Sequence, residues 1–168
     1  FLMIDTKFFD EEFTDRLLGT FEDLDAATGG LMIKSENFQA LNLLQERYRE
    51  SVKCVYIDPP YNTGNDGFVY RDDIRESSWL SLLWDRIETS QNLLSKDSAF
   101  WISIDDNEIH RIKEISDSLF PNCFNSLITV VNNMKGRNDR KNIATVHEYM
   151  LFYAIGEFES NGIPLTEE

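Results

Sequence analysis

The chain has 168 residues, a mass of 19.6 kDa and 42% hydrophobic residues, which is enough for one hydrophobic core and short for two domains. Its formal net charge of -14 and its isoelectric point near 4.5 exclude binding to nucleic acid through bulk positive charge, so any such contact needs a local basic patch. No cleavable signal and no apolar run long enough to span a bilayer are visible, so we expect a soluble, cytoplasmic protein.

The first third of the chain predicts two helices separated by a short strand. Asp10 can cap an opening helix whose apolar positions have helical spacing; they are Phe13, Leu17, Phe21 and Leu24. A glycine turn then leads into a strand at 31–33. A second helix follows, and its predicted buried positions are Phe38, Leu41, Leu44 and Tyr48.

The middle of the chain alternates strands and helices. "VKCVYID" predicts a strand that is apolar on successive residues, as expected of a strand covered on both faces. Loop residues dominate from 62 to 77. Ser77 or Ser78 can then cap a helix; its apolar positions are Leu80, Leu83, Trp84, Ile87 and Leu94.

The last third predicts three more strands and one helix. "AFWISI" is the first of these strands, and "SLITVV" and "EYMLFYA" are the other two, on either side of a loop. In the segment "DDNEIHRIKEISDSLF", Asp105 or Asp106 can cap a helix with four inward positions, which are Ile109, Ile112, Ile115 and Leu119. The alternation predicts an α/β fold with a mainly parallel sheet and helices on both faces.

The cysteines and histidines carry little functional signal. Cys54 and Cys123 lie in or beside apolar segments far apart in the chain, so we expect buried free thiols. No zinc-type spacing exists, and His110 and His147 lack the spacing of metal ligands, so we expect no metal.

The segment "VYIDPPYNTGND" places Asp58 and three stiff or aromatic residues directly after a strand. Ligands of open α/β sheets bind beyond the carboxyl ends of the strands. Pro59 and Pro60 lack N–H donors and restrict the backbone, so a carboxylate and a carbonyl are fixed as paired acceptors. Such acceptors suit the two N–H donors of an exocyclic amino group, and Tyr61 can stack on a base pulled out of its duplex.

The "DPPY" segment resembles motif IV of the amino-methyltransferases that modify adenine N6 or cytosine N4 with S-adenosylmethionine. The longer string "IDPPYNTGNDGFVYRDD" resembles more specifically the modification subunit of type III restriction-modification systems, adenine-N6 DNA methyltransferases of the permuted β class. Five flanking segments resemble that family in its order; they are "DTKFFDEEFTDRLL", "LMIKSENFQALNLLQERY", "SSWLSLLWDR", "WISIDDNE" and "VHEYMLFYA".

The resemblance implies direct methyl transfer to adenine N6 without a covalent enzyme intermediate. It implies that Asp58 and the Pro59 carbonyl hold the N6 protons, with Pro60 and Tyr61 completing the catalytic motif. Asp before the two prolines favours adenine over cytosine in this family. Cofactor contacts are expected from Asp58 and from "SENFQAL", through Glu36 and Asn37.

Further contacts are expected around this motif. Asn62, Thr63 and Gly64 are candidates for lining the base pocket, and Tyr149 is a second candidate for contact with the flipped base. A basic island in this acidic chain is either a solvated loop or a contact to DNA phosphates; it comprises Lys135, Arg137, Arg140 and Lys141.

The family also places an aromatic-x-Gly-x-Gly cofactor motif after a target-recognition segment, and this chain contains no G-x-G. The resemblance therefore implies a partial Rossmann-like methyltransferase fold without its central cofactor strands. We expect a helical extension at 1–30, a partial catalytic domain at 31–156 and a linker or cut end at 157–168. Such a fragment is expected to be inactive by itself.

The family further implies double-stranded DNA, a restriction subunit with helicase and nuclease functions, and a homodimer of the complete modification subunit as partners. Two other interpretations stay open. One is an RNA or protein-glutamine methyltransferase, since related motifs hold planar amino groups there. The other is a non-catalytic subunit that uses the fold for DNA docking, although such a module has no use for paired acceptors at a strand tip.

Overall fold

The structure is a computed structural model that describes residues 4–62, 76–131, 146–160 and 162. The chain divides into two compact units, Phe1–Lys34 and Ser35–Glu168. Each unit has its own local structure.

The first unit has three short helical segments. They are a 3₁₀ turn (Thr6–Phe8), α1 (Glu11–Leu18) and α2 (Leu24–Ala27). Asp10 caps α1 as predicted, because its carboxylate accepts a hydrogen bond from Phe13 N at 2.8 Å. The predicted single helix is nevertheless two helices, since Asp23 accepts from the backbone N–H groups of Asp25 and Ala26 and begins a new one.

The predicted strand at 31–33 is wrong. These residues have no regular structure, and Leu31, Met32 and Ile33 are 62%, 95% and 40% exposed. A strand requires hydrogen bonds to a neighbouring strand, and none of the strands in the described part of the chain pairs with this run. Apolar composition alone therefore misled the prediction.

The second unit holds the sheet and the longer helices. Its elements are α3 (Asn37–Tyr48), β1 (Val52–Ile57), α4 (Glu76–Gln91), β2 (Leu94–Ile104), α5 (Ile109–Leu119), β3 (Phe124–Val131) and β4 (His147–Ile155). The strand order is β1-β2-β4-β3. The β1–β2 pair is parallel, whereas β4 runs antiparallel to both β2 and β3. The α/β class is confirmed, and the described sheet is mixed rather than mainly parallel because β3 and β4 pair directly instead of through a crossover.

One face of the sheet carries the core. Alternate residues of β2 and β4 point to this face and meet buried residues of α4 and α5; the shared cluster includes Phe100, Ile102, Ile104, Leu151, Tyr153, Trp79, Leu83, Ile87, Ile112 and Phe120. Each such large side chain contributes about 1.5–3 kcal/mol by leaving water. Helices α4 and α5 both pack on this face of the sheet. The sequence predicted helices on both faces, and these two helices do not follow that prediction.

The other face is more open, and β1 lies at an edge of the described sheet. Tyr56 is 55% exposed there, so the prediction that this strand is covered on both faces is wrong. Trp101 and Phe152 stack on the same face with ring centroids 4.1 Å apart. Cys54 is exposed on β1, against the prediction, while Cys123 is half-buried and burial raises the pKa of its thiol.

The predicted inward positions of the helices are partly confirmed. In α5, Ile112 is buried and Ile109, Ile115 and Leu119 pack against the core. In α4, Leu83 and Ile87 are buried, while Trp84 is 36% exposed and Leu94 belongs to β2. In α3 the predicted burial of Phe38 is wrong, since its side chain is 39% exposed.

Two predicted helix caps are wrong. Helix α4 already includes Ser77 and Ser78, because it begins at Glu76. Helix α5 begins at Ile109, and the Asp105 carboxylate instead accepts hydrogen bonds from Asn107 N at 2.9 Å and Asn107 Nδ2 at 2.8 Å. These bonds close the turn before the helix, a local competition typical of Asp.

Within the described ranges, no helix combines the length and the apolar character needed to cross a membrane. The same ranges contain no group of three or more His, Cys, Asp or Glu side chains placed to hold a metal ion.

Candidate active site

The segment from Asp58 to Asn62 leaves β1 at the edge of the sheet where the parallel strands β1 and β2 both end. Asp58 is exposed and Pro59 is buried, so an accessible acidic residue is followed directly by a packed proline. This is the edge at which open α/β sheets bind ligands. The three residues that follow Pro59 each make a hydrogen bond to a different part of the fold.

Pro60 is held from helix α4. The indole Nε1 of Trp79 donates to the Pro60 carbonyl oxygen at 2.9 Å, and the Trp79 side chain is fully buried. A partly buried backbone carbonyl is thus satisfied by a side-chain N–H donor.

Tyr61 is held from strands β2 and β4. Its hydroxyl lies 2.7 Å from Ser103 Oγ and 3.4 Å from Glu148 Oε2. Burial, together with the negative charges of Asp58 and Glu148, raises the pKa of Tyr61 far above its ordinary value. The phenol therefore stays protonated, and its ring is fixed at the tip of β1.

Asn62 is held from the turn between β2 and α5. Its backbone has a left-handed φ of 55°, which asparagine tolerates better than most residues. Its Nδ2 donates to Glu108 Oε1 at 2.8 Å, and Glu108 Oε2 accepts from Arg111 Nη1 at 2.8 Å.

The sequence did not predict three of these site residues, which are Trp79, Ser103 and Glu108. The only signal for them was their presence in segments that flank the motif in the family that the chain resembles.

Glu36 and Asn37 lie elsewhere, at the start of helix α3. Glu36 Oε2 caps this helix by accepting from Phe38 N at 2.9 Å, and its Oε1 pairs with Arg86 Nη2 at 2.6 Å. Hydrogen bonding to Arg86 lowers the pKa of Glu36. Arg86 Nε also donates to Asn37 Oδ1 at 2.5 Å. Arg86 and Trp79 both belong to α4, about 10 Å apart along the helix at the usual rise, so one helix contacts both the Glu36–Asn37 pair and the Pro60 carbonyl.

Tyr149 does not join the Tyr61 cluster. On β4 it alternates with Glu148, whose side chain reaches Tyr61, so the Tyr149 side chain leaves the strand on the other face. Its hydroxyl lies 2.9 Å from His147 Nε2, and hydrogen bonding to Asp106 raises its pKa.

Several predicted contacts fall outside the described residues. Thr63 and Gly64 belong to this set, as do the basic residues Lys135, Arg137, Arg140 and Lys141. A cleft of about 1010 Å³ lies near the start of β1 and β2, away from the ends of these strands where Asp58 lies. Lys53, Lys96 and Cys123 are among its lining residues, and none of the predicted site residues line it.

The arrangement fits recognition of a planar amino group. It offers an exposed carboxylate, a stiff diproline and an aromatic ring whose hydroxyl is fixed, all at one strand end. Such a group has two N–H donors, and carboxylate and carbonyl oxygens accept them. The fold is an α/β domain, and its candidate ligand site lies at the carboxyl ends of its parallel strands.

The chain belongs to the DNA methylase family whose sequence model (N6_N4_Mtase) matches residues 52–165. Among curated relatives, the type III restriction-modification enzyme EcoPI Mod subunit of Escherichia phage P1 is 32% identical over 82% of this chain and 27% of its own length. The EcoP15I Mod subunit of Escherichia coli is 32% identical over 78% of this chain and 26% of its own length. The predicted resemblance to type III modification subunits is thereby confirmed, and the chain spans about a quarter of the length of these relatives.

A type II methyltransferase, M.KpnI of Klebsiella pneumoniae, is 31% identical over 91% of this chain and 39% of its own length. Solved structures share the fold at lower identity. The M1.HpyAVI–SAM complex has a TM-score of 0.52 at 19% identity, covering 81% of this chain and 60% of its own. TTHA0409 of Thermus thermophilus, complexed with S-adenosyl-L-methionine, has a TM-score of 0.52 at 18% identity, covering 73% and 54%.

Proposed function

We propose that this chain is the catalytic segment of a cytoplasmic DNA adenine-N6 methyltransferase, the modification subunit of a type III restriction-modification system. The observation that carries the proposal is the Asp58–Asn62 segment, which is exposed at Asp58 and hydrogen-bonded at Pro60, Tyr61 and Asn62. We call Asp58, Pro59, Pro60 and Tyr61 the amino-group clamp.

In the proposed reaction, the Asp58 carboxylate and the Pro59 carbonyl accept hydrogen bonds from the two N–H groups of N6 of a flipped adenine. This raises the electron density on N6 while Tyr61 stacks on the base. A bound cofactor would supply the methyl group, its S–C bond breaking as the N6–C bond forms, and N6 would then release one of its two protons to solvent. The rigid diproline holds both acceptors in place before the substrate arrives, so alignment is not lost to backbone motion. No nucleophilic side chain of the protein is required.

S-adenosylmethionine, when bound, supplies an electrophilic methyl group on a positively charged sulfonium. Asp58 fits that charge because its carboxylate is exposed at the sheet edge. Glu36 and Asn37 are the other proposed cofactor residues. Both Glu36 oxygens are engaged by the helix N-terminus and Arg86, but a carboxylate oxygen has a second lone pair, so Glu36 can still accept a hydrogen bond.

The partners are part of the same proposal. They are double-stranded DNA, a restriction subunit and a second copy of the complete modification subunit. Contacts to DNA phosphates are assigned to Lys135, Arg137, Arg140 and Lys141, and contacts to the base to Asn62, Thr63, Gly64 and Tyr149. The side chain of Tyr149 leaves β4 on the opposite face from Glu148, which contacts the Tyr61 hydroxyl, so Tyr149 would contact the base separately from Tyr61.

The test uses the complete protein and cofactor labelled with tritium in its methyl group. We expect label to enter duplex DNA and to appear as N6-methyladenine after digestion. Asp58→Ala should reduce transfer by at least about 100-fold, because it removes an acceptor that acts at the reacting nitrogen. Asp85→Ala is the control, since Asp85 is an exposed carboxylate on α4 and is not part of the clamp.

Transfer retained by the Asp58→Ala protein would contradict the role of the clamp. Label in RNA or in protein, rather than in DNA, would support the alternative methyltransferase interpretation. Absence of transfer to any of the three substrates by the unaltered protein would favour a docking subunit.

A further inference from the structure

Glu108 is a buried carboxylate at the turn between β2 and α5. The residue is 3% exposed, although charged side chains are rarely buried without partners. Each oxygen has a partner at 2.8 Å: Asn62 Nδ2 on Oε1 and Arg111 Nη1 on Oε2. The cost of burial is therefore offset by two hydrogen bonds, one of them charge-assisted.

The Asn62 bond connects distant parts of the chain. Asn62 and Glu108 are separated by 46 positions, and the bond between their side chains ties the residue just after the clamp to the turn between β2 and α5. The φ of Asn62 is 55°, so this residue sets the direction in which the chain leaves the strand tip.

Arg111 fixes the rotation of the Glu108 carboxylate. It lies one helical turn further along α5, in the i,i+3 arrangement that brings two side chains into contact. With Oε2 held by Arg111, Oε1 is directed to Asn62. Glu108 makes no side-chain cap bond to α5, so capping does not account for its position.

We propose that Glu108 is a positioning residue for the amino-group clamp and that it acts through Asn62. The proposal rests on the proposed function. Between Asp58 and Asn62, the two prolines restrict the backbone, so an orientation imposed at Asn62 is transmitted to the Asp58 carboxylate. Without Glu108, the Asp58 carboxylate can still accept a hydrogen bond, but it is less well aligned with the amino group.

The experiment measures steady-state methylation by the complete protein. We expect Glu108→Ala to lower kcat about 10- to 100-fold, as a small misplacement of a reacting group does, with little change in KM for DNA or cofactor. Glu108→Gln should recover part of kcat, because its amide oxygen still accepts from Asn62. Asp117→Ala is the matched control: it removes a carboxylate of α5 that holds the Tyr153 hydroxyl at 2.9 Å and Lys113, away from the clamp.

A double-substitution cycle separates positioning from simple destabilisation. Asn62→Gly retains the left-handed backbone and lacks the amide that Glu108 accepts. In that background Glu108→Ala should lower kcat by less than about threefold, because the interaction it removes is already gone. An equal loss of kcat with and without Asn62→Gly would overturn the proposal, as would an equal loss in the Asp117→Ala protein.

A second readout does not require activity. In the complete protein labelled with ¹⁵N-asparagine, the side-chain amide protons of Asn62 should exchange with solvent at least about tenfold faster after Glu108→Ala, since a partly buried hydrogen bond is lost. If the unaltered protein transfers no methyl group, the proposed function fails and this exchange rate still decides whether Glu108 holds Asn62. Unchanged exchange would refute the positioning role.

Discussion

At the scale of residues, the clamp and Asn62, which follows it, are held by side chains that come from three different elements. Trp79 of α4, Ser103 of β2 and Glu108 of the turn before α5 each bond one of three consecutive residues. A hydrogen bond of this kind contributes about 1 kcal/mol net, but leaving a buried partner unsatisfied costs more. The clamp is therefore most sensitive to changes that remove one partner and leave the other.

Trp79→Phe provides a direct measurement of this sensitivity. Phenylalanine retains most of the apolar ring in the core and leaves the Pro60 carbonyl without its donor. We expect the free energy of unfolding in urea, followed by circular dichroism, to fall by about 2–3 kcal/mol from the lost hydrogen bond and the smaller ring together.

The control for Trp79→Phe is Trp84→Phe. Trp84 is on the same helix and is 36% exposed, so its ring contributes less to the core. A loss of stability in the Trp84→Phe protein as large as that in the Trp79→Phe protein would show that ring size, and not the bond to Pro60, sets the effect.

At the scale of elements, the sequence predicted those features that depend on neighbouring residues in the chain. The Asp10 cap, the inward positions of α5 and strands β1 to β4 follow from side-chain size and period. Burial of β1 could not be predicted in this way, because the exposure of Tyr56 depends on which strand pairs with which. The Asp58–Tyr61 segment could be recognised from its own residues. The role of Glu108 could not, because it depends on a contact with Asn62, which is 46 positions away.

Strand β4 gives a prediction for the effect of pH. Tyr153 is fully buried, and its hydroxyl donates to Asp117 at 2.9 Å. Burial and the Asp117 charge raise the pKa of Tyr153 far above its ordinary value. In the unfolded chain a tyrosine loses its proton near pH 10, while the folded state retains it, so stability is present below about pH 10 and falls above it.

We expect the free energy of unfolding to decline between about pH 10 and pH 12. Tyr153→Phe should make this decline shallower, since Tyr153 no longer contributes, while Tyr61, whose pKa is also raised far above its ordinary value, remains. Urea titrations at several pH values measure both slopes. The same slope in both proteins would mean that Tyr153 does not contribute.

At the scale of the whole molecule, the part of the chain that the structure describes leaves several large apolar side chains exposed. Tyr56 is 55% exposed on β1, and in the part of the chain that the structure describes β1 has one strand neighbour. An edge strand with unpaired backbone groups and apolar side chains is a template for pairing with another chain. The net charge of -14 opposes such association at low salt and is screened as salt is added.

We therefore expect the isolated 168-residue chain to associate reversibly, and more strongly at higher salt, in analytical ultracentrifugation. Tyr56→Lys should weaken association at least about tenfold, because it places a charge on the edge strand. Leu43→Lys is the control, since Leu43 is 73% exposed on α3 and has no free strand edge. Equal weakening by both substitutions would indicate general apolar contact and not edge pairing.

The bond from Trp79 to Pro60 also allows the clamp to be followed by tryptophan fluorescence. The chain has three tryptophans, and Trp79 is the fully buried one whose indole N–H is bonded inside the clamp. With Trp84 and Trp101 replaced by phenylalanine, all indole emission would arise at the base of the clamp. Movement of the Pro60 carbonyl would then shift the emission wavelength, so this single tryptophan would report on the conformation of the segment that follows β1.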